Sequence, residues 1–275
     1  MTIKLAASSM LARGKTPIEQ IDFLDGCGFS GMELRLTLDD EDLPAYLENL
    51  NQVLDRTGVC ICSLIIPDSS ISRHFDSREA MEDKLRTLQR NLRIAGPLGA
   101  VSVFCPEYRA QQPLPLWNPP SAISDNEQTL LVELLSRAAE TAEQVGGIIV
   151  IEPVNRYETH MLHTLESAMK ICELVDSPRV GILADFYHMN LEEADVRRSI
   201  IAAASRIFHV QLGDSNRLLP GLGHMDFKPG FQALLQTGYD RFMALECRAQ
   251  GPLDEALPHC IEFIKSELIS LKVKE

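Results

Sequence analysis

No apolar run in this sequence approaches the roughly 18 residues of a membrane span, and the opening MTIKLAASSM is too short in its apolar part for a signal peptide. A soluble, cytoplasmic protein without membrane partners is therefore expected. Positive charge is also scarce, since 26 Lys and Arg stand against 39 Asp and Glu, giving a net charge of −13. Nucleic-acid binding draws on clustered Lys and Arg that neutralise phosphates, so the charge argues against that class, while small neutral substrates and cations remain open. The seven cysteines form no CxxC pair and leave an odd total. Cys60 and Cys62 alternate along a strand-like run, which suits neither a disulfide nor a zinc knuckle, so reduced thiols packed as small hydrophobes are expected. No Ser/Gly tract, long charge block or low-complexity segment divides the chain, and residues 1–275 read as one domain.

What the chain does have is rhythm. Eight short apolar runs recur, at Ile3–Ser8, Gly31–Arg35, Val59–Ile65, Ala100–Cys105, Ile148–Glu152, Val180–Asp185, Ile207–Leu212 and Phe242–Glu246. Longer stretches of helical spacing separate them, such as Ser77–Ala95, where Met81, Leu85, Leu88, Leu92 and Ala95 repeat at three and four, and Glu127–Val145. Strands alternating with helices require a mostly parallel sheet, and eight units in this length predict an α/β fold, a (β/α)8 TIM barrel. An open doubly wound sheet is the competitor, but the turn AASSMLARGKT after the first run lacks its GxGxxG pattern.

Barrel enzymes keep their chemistry at the C-terminal ends of the strands. Four consecutive runs here finish on an oxygen-bearing side chain: Glu152 in IIVIEP, Asp185 in GILADFYH, Gln211 in FHVQLGD and Glu246 in FMALECR. Period-two alternation can turn all four toward the axis. Three carboxylates crowded at one mouth repel one another unless a cation sits between them, so these four residues are candidate ligands of one divalent metal. An all-oxygen set favours Mn²⁺ or Mg²⁺ over zinc, which prefers nitrogen and sulfur.

The stretches IEPVNRYETHMLHT, ADFYHMNLEE, HVQLGDSNRLLPGLGHMDF and ALECR, spanning roughly residues 150 to 250, resemble the sugar isomerases and epimerases with a xylose-isomerase-like TIM barrel. Within that family the nearest likeness is to the D-tagatose 3-epimerase group and its relatives acting on keto sugars. The resemblance implies that Glu152, Asp185, Gln211 and Glu246 ligate one metal, that Glu152 and Glu246 double as the acid/base pair, and that His188 and Arg217 hold substrate oxygens near the carbonyl. It also implies a homo-oligomer, dimer or tetramer. Gln211 departs from the tagatose epimerase pattern, which has histidine there, whereas hydroxypyruvate isomerase-like relatives carry glutamine. The amide keeps a ligand oxygen available, and free ketoses and keto glycosides both remain open as substrates.

The chemistry is coherent from first principles. Removing a proton beside a ketone builds negative charge on its oxygen, which a Lewis acid and nearby donors stabilise. Epimerisation then needs a base on one face of the planar intermediate and an acid on the other, roles that two glutamates can share.

Smaller expectations attach to other residues. His209 shares the inward face of Gln211 and either touches substrate or makes a supporting hydrogen bond. Glu158 either touches substrate hydroxyls or is a solvated loop acid, and Trp117 in PLPLWNPP is a lid residue or a loop anchor. His224 is expected to fix its loop, and Glu33 and Arg35 to pair with each other or reach a substrate hydroxyl. The apurinic endonucleases share this barrel but use a histidine cluster that the strand ends SLIIPD and FCPEYR lack. An inosose-type dehydratase or isomerase, which begins with the same proton abstraction, and a non-catalytic sugar-binding subunit are the competing readings.

Overall fold

The structure, a computed structural model, describes residues 4–36, 43–65, 75–108 and 122–272. Eight parallel strands close into a barrel in chain order: β1 (Lys4–Ser8), β2 (Gly31–Arg35), β3 (Cys60–Ile65), β4 (Val101–Phe104), β5 (Ile148–Ile151), β6 (Val180–Asp185), β7 (Ile207–Leu212) and β8 (Phe242–Leu245), with β8 pairing back onto β1. The helices are α1 (Pro17–Cys27), α2 (Leu43–Arg56), α3 (Arg78–Ala95), α4 (Asp125–Val145), α5 (Leu165–Val175), α6 (Phe186–Glu192), α7 (Val196–Ala203), α8 (Lys228–Gln236) and α9 (Leu253–Lys272). Among the described residues no helix is long and apolar enough to cross a membrane, and all seven cysteines are free thiols.

The expected strands β4, β5 and β8 run one residue too long at their C-terminal ends. Glu152 and Glu246 lie just past β5 and β8, yet their amides still donate to Phe104 and Leu212 carbonyls at 3.0 and 3.1 Å. The helix boundaries follow local chemistry. Thr16 and Ser124 open α1 and α4 with reciprocal capping boxes to Glu19 and Glu127, and Gly28 and Gly146 close them at φ 91° and 68°, a backbone region glycine enters without steric cost. Ser77 caps α3 one residue before its first turn, and the stripe Met81, Leu85, Leu88, Leu92 and Ala95 is buried against the sheet.

Two small apolar clusters lie apart from the main core between strands and helices. One gathers Ala6, Cys62 and Ala244 with Phe242, the other Val101, Val150 and Leu183 with Phe208. Because strand side chains alternate, Val150, Leu183 and Ala244 share a face with Glu152, Asp185 and Glu246 two residues on. The barrel interior is thus an apolar floor beneath a polar ring. Gly31 and Gly181 make the floor possible: a Cβ at either would come within 2.6 Å of the Phe242 ring or 2.2 Å of the Phe208 ring. The register slips at two places, between Met32 and Glu33 against β3 and between Ile182 and Leu183 against β7. Such bulges re-aim side chains, and these two set Glu33 opposite Ser63 and Leu183 opposite His209.

Candidate active site

The polar ring opens into a cavity of about 400 Å³ whose lining includes Glu152, Glu158, His188, Arg217, Glu246 and Arg35. Asp185 ends β6 and also begins α6, its Oδ1 accepting the Tyr187 amide at 2.8 Å, which leaves Oδ2 for other partners. The Arg217 guanidinium donates to this Oδ2 at 2.7 Å and to Glu246 Oε2 at 2.5 Å, and lies over the Tyr187 ring with its centre 4.5 Å from the ring centroid. Arg35 approaches the other Glu246 oxygen at 3.3 Å.

His188 sits in the first turn of α6, almost fully buried. Its Nδ1 accepts the Asn155 amide at 3.2 Å, which leaves a neutral ring with its proton on Nε2. That nitrogen points at Asp185 Oδ2 (3.5 Å) and Glu152 Oε1 (3.7 Å). Glu152, Asp185 and His188 each offer one atom within 4.8 Å of the others, the geometry of a cation site. With its proton on Nε2, however, His188 joins this group as a donor rather than a ligand. Glu246 is not part of this compact group, and its two oxygens meet Arg217 and Arg35.

Burial acts against every charge here, and the neighbours decide the outcome. It pushes the Glu152 carboxyl well above the usual range, helped by the charges of Glu246 and Asp185. Burial likewise pushes Glu246 up to about 7, against the pull of Arg217. For Asp185 the desolvation is outweighed by Arg217, His188 and the Tyr187 amide, which hold it below its ordinary value. Burial lowers His188, keeping the ring neutral despite the pull of Asp185. Arg217 loses charge preference by burial but is held above its ordinary value by Asp185, Glu246 and Glu152.

Gln211 is fully buried in β7, with its Nε2 donating to Glu33 Oε1 and Oε2 at 3.0 and 3.3 Å. Its Oε1 has no hydrogen-bond partner among the described residues. A buried acceptor left so costs about 1–3 kcal/mol unless something satisfies it. An amide oxygen in search of positive charge, on the face of the strand that continues the ring of three carboxylates, fits a hard divalent cation.

His209, also buried, places Nε2 2.8 Å from Glu33 Oε1; His209, Gln211 and Asp185 all lie behind the residues that line the cavity and are not among them. Glu158 is half-buried and accepts from Asn155 Nδ2 at 2.9 Å. Glu33 and Arg35 do not pair with each other: the bulge sends Glu33 to Ser63, His209 and Gln211, and Arg35 turns to Glu246. Arg156 pairs with Glu192 at 2.7 Å and leaves Glu152 to the cavity. The His224 side chain is exposed, and only its amide ties the loop, donating to Ser215 Oγ at 3.0 Å. Trp117 lies outside the described residues.

Three further residues carry weight that the sequence did not signal. Asn155 orients both His188 and Glu158. Asp214 organises the loop after β7, accepting the amides of Ser215, Gly221 and Met225 at 2.7, 2.8 and 3.1 Å. Its carbonyl also accepts the Arg217 amide at 2.8 Å, holding Arg217 at φ 60°, a left-handed conformation uncommon outside glycine. Tyr187 backs the guanidinium. An Asn three residues before Glu158 and an Asp two residues after Leu212 are ordinary loop residues until the fold places them.

Comparison with known proteins agrees with this architecture. The sequence model of the xylose isomerase-like TIM barrel family matches residues 21–267. The chain is 26% identical over 242 residues to 3-dehydro-D-guloside 4-epimerase of Escherichia coli (strain K12), covering 86% of this chain and 89% of that one. It is 40% identical over 106 residues to a ketose 3-epimerase of Arthrobacter globiformis, a match spanning 38% of this chain and 37% of that protein. Among solved structures, the apo form of E. coli 3-keto-D-glucoside 4-epimerase superposes with a TM-score of 0.83 at 22% identity, covering 96% of this chain and 100% of that one. An L-ribulose 3-epimerase superposes with a TM-score of 0.82 at 21% identity, covering 99% and 97%. At these identities the superpositions speak for the fold.

Proposed function

The chain belongs to the xylose isomerase-like TIM barrel family, and from that premise we propose an epimerase of unphosphorylated keto sugars or keto glycosides that works with one divalent cation, Mn²⁺ or Mg²⁺, per chain. The observation that carries this reading is the pair Glu152 and Glu246, both lining one cavity from strands separated by two others and both with carboxyls pushed above the usual range. The 4-epimerase and 3-epimerase relatives support the reaction class.

Glu152, Asp185, Gln211 Oε1 and Glu246 would hold the cation, which when bound supplies Lewis acidity toward the ketone oxygen and the neighbouring hydroxyl. One glutamate, as carboxylate, takes the proton from the carbon beside the carbonyl. The other, as carboxylic acid, returns a proton to the opposite face of the planar enediolate. After one turnover the two have exchanged protonation states, and exchange with solvent resets them. His188, neutral with its proton on Nε2, and Arg217 supply donors for the charge that develops on oxygen. Arg217, paired with Asp185 and Glu246, adds positive charge to a site that gathers three carboxyl groups. Glu158, held by Asn155, is positioned to accept substrate hydroxyls.

The test is a solvent-exchange screen by NMR of keto sugars and 3-keto glycosides in D₂O with Mn²⁺ added. Deuterium at the inverted carbon of an epimer is the expected result. Turnover that needs an added nicotinamide, or an epimer free of solvent deuterium, would replace this reading with hydride transfer.

A further inference from the structure

Glu33 belongs to β2, yet its carboxylate reaches across the barrel interior to β7 and is fully buried. Groups able to donate surround it: Ser63 Oγ at 3.0 Å, His209 Nε2 at 2.8 Å and Gln211 Nε2 at 3.0 and 3.3 Å. Both Glu33 oxygens lie within reach of Gln211 Nε2, so the carboxyl group sets which end of the Gln211 amide faces it. The nitrogen must turn to Glu33 and the oxygen away, and that oxygen is the buried Oε1 without a partner among the described residues.

We infer that Glu33 is a positioning residue that locks the Gln211 amide with its oxygen toward the cation site. The inference rests on the metal-dependent reading above. A glutamine is nearly symmetric in shape, and a half-turn of its amide would present an NH₂ group to the cation, exchanging attraction for repulsion. A histidine at a ligand position is oriented by an acceptor at its second nitrogen. A ligand glutamine needs the same at its NH₂ group. Donation to a carboxylate also draws electron density toward Oε1, strengthening it as a ligand. The register slip that sets Glu33 opposite Ser63 supplies the aim: Ser63 and His209 both hold Oε1, the oxygen that Gln211 Nε2 also meets at 3.0 Å, and so keep the carboxylate against the Gln211 nitrogen.

The test measures Mn²⁺ affinity by calorimetry on three proteins: wild type, Glu33→Gln, and the swap Glu33→Gln with Gln211→Glu. In the single variant the amide at position 33 keeps its oxygen for Ser63 and His209 and turns its NH₂ toward residue 211, so the Gln211 amide is drawn to present its oxygen to position 33 and its NH₂ to the cation. In the swap the polarity reverses: the amide introduced at position 33 keeps an oxygen for Ser63 and His209 and donates its NH₂ to the carboxylate at position 211, which has an oxygen left for the ion. The expected result is a loss of about 10- to 100-fold in Mn²⁺ affinity for E33Q and recovery to within about threefold in the swap. E33Q binding as tightly as wild type overturns the inference, and so does a swap as weak as E33Q, because a residue that merely supports the fold would not be rescued by reversing a hydrogen bond. If E33Q alone does not fold, the swap decides by the same criterion against wild type. Wild type that binds no Mn²⁺ overturns the metal-dependent reading and this inference with it, whereas wild-type binding with an unaffected E33Q overturns only the role of Glu33.

Discussion

Arg217 and Asp185 form an ion pair of 2.7 Å in which the carboxylate is entirely buried and the guanidinium side chain is 27% exposed. Removing one partner of such a pair leaves an uncompensated buried charge. Arg217→Ala should lower the stability of the metal-free protein by about 2–4 kcal/mol, at or below the range for a fully buried pair because of the arginine's exposure. Added Mn²⁺ should recover part of the loss, since the cation replaces the missing positive charge. Urea unfolding with and without chelator measures both numbers. Equal stability of variant and wild type in chelator would mean that the pair contributes nothing to the fold.

The acid/base assignment predicts asymmetry. Glu152→Gln and Glu246→Gln should each reduce net epimerisation by about 10²- to 10⁴-fold. Because an amide oxygen can still ligate the metal, though more weakly, at least one variant should exchange a substrate proton on its intact face without inverting the carbon. In D₂O that variant washes deuterium into unreacted substrate while making no epimer. Loss of exchange and of inversion in strict parallel in both variants would contradict the division of faces between the two, and a variant that still inverts would argue for the other glutamate acting on both faces.

Metal identity follows from the ligand oxygens. Chelation should abolish activity, and Mn²⁺ or Mg²⁺ should restore it better than Zn²⁺. Gln211→His, which puts an imidazole where the orphan oxygen lies, should shift the preference toward Co²⁺ or Zn²⁺. Full activity in rigorously metal-stripped protein would contradict the first statement, and an unchanged metal profile in the variant the second.

Ion uptake should depend on pH with a definite sign. Glu246 is pushed up to about 7 and Glu152 also lies above its ordinary value, so below that pH the metal-free site holds protons that an incoming cation must expel. Affinity for Mn²⁺ should therefore rise with pH through about 7 and weaken by up to about tenfold per pH unit below it for each proton displaced. Calorimetry in buffers of different ionisation enthalpy counts those protons. Affinity that stays flat across this range, with no proton released, would show that the glutamates are already ionised in the metal-free protein.

The sequence alone determined the barrel and the composition of its polar ring. Period-two apolar runs separated by helical spacing admit few architectures, and a polar residue closing an otherwise apolar strand is conspicuous in one dimension, which is why Glu152, Asp185, Gln211 and Glu246 were legible before any coordinates. The wiring was not. His209 and Glu33 are 176 positions apart, and the Asn155 amide meets His188 across 33. No local pattern joins such pairs, because their contact exists only once strand closure and the two register slips set the direction of each side chain. For the same reason Glu33 reads from sequence as a possible partner of Arg35, its neighbour on the same strand face, while in the barrel the two turn to opposite tasks. Asp214 and Asn155 are the same case in loops: ordinary polar residues whose hydrogen bonds, satisfied by backbone amides and an imidazole, depend on a loop path that only the tertiary structure fixes.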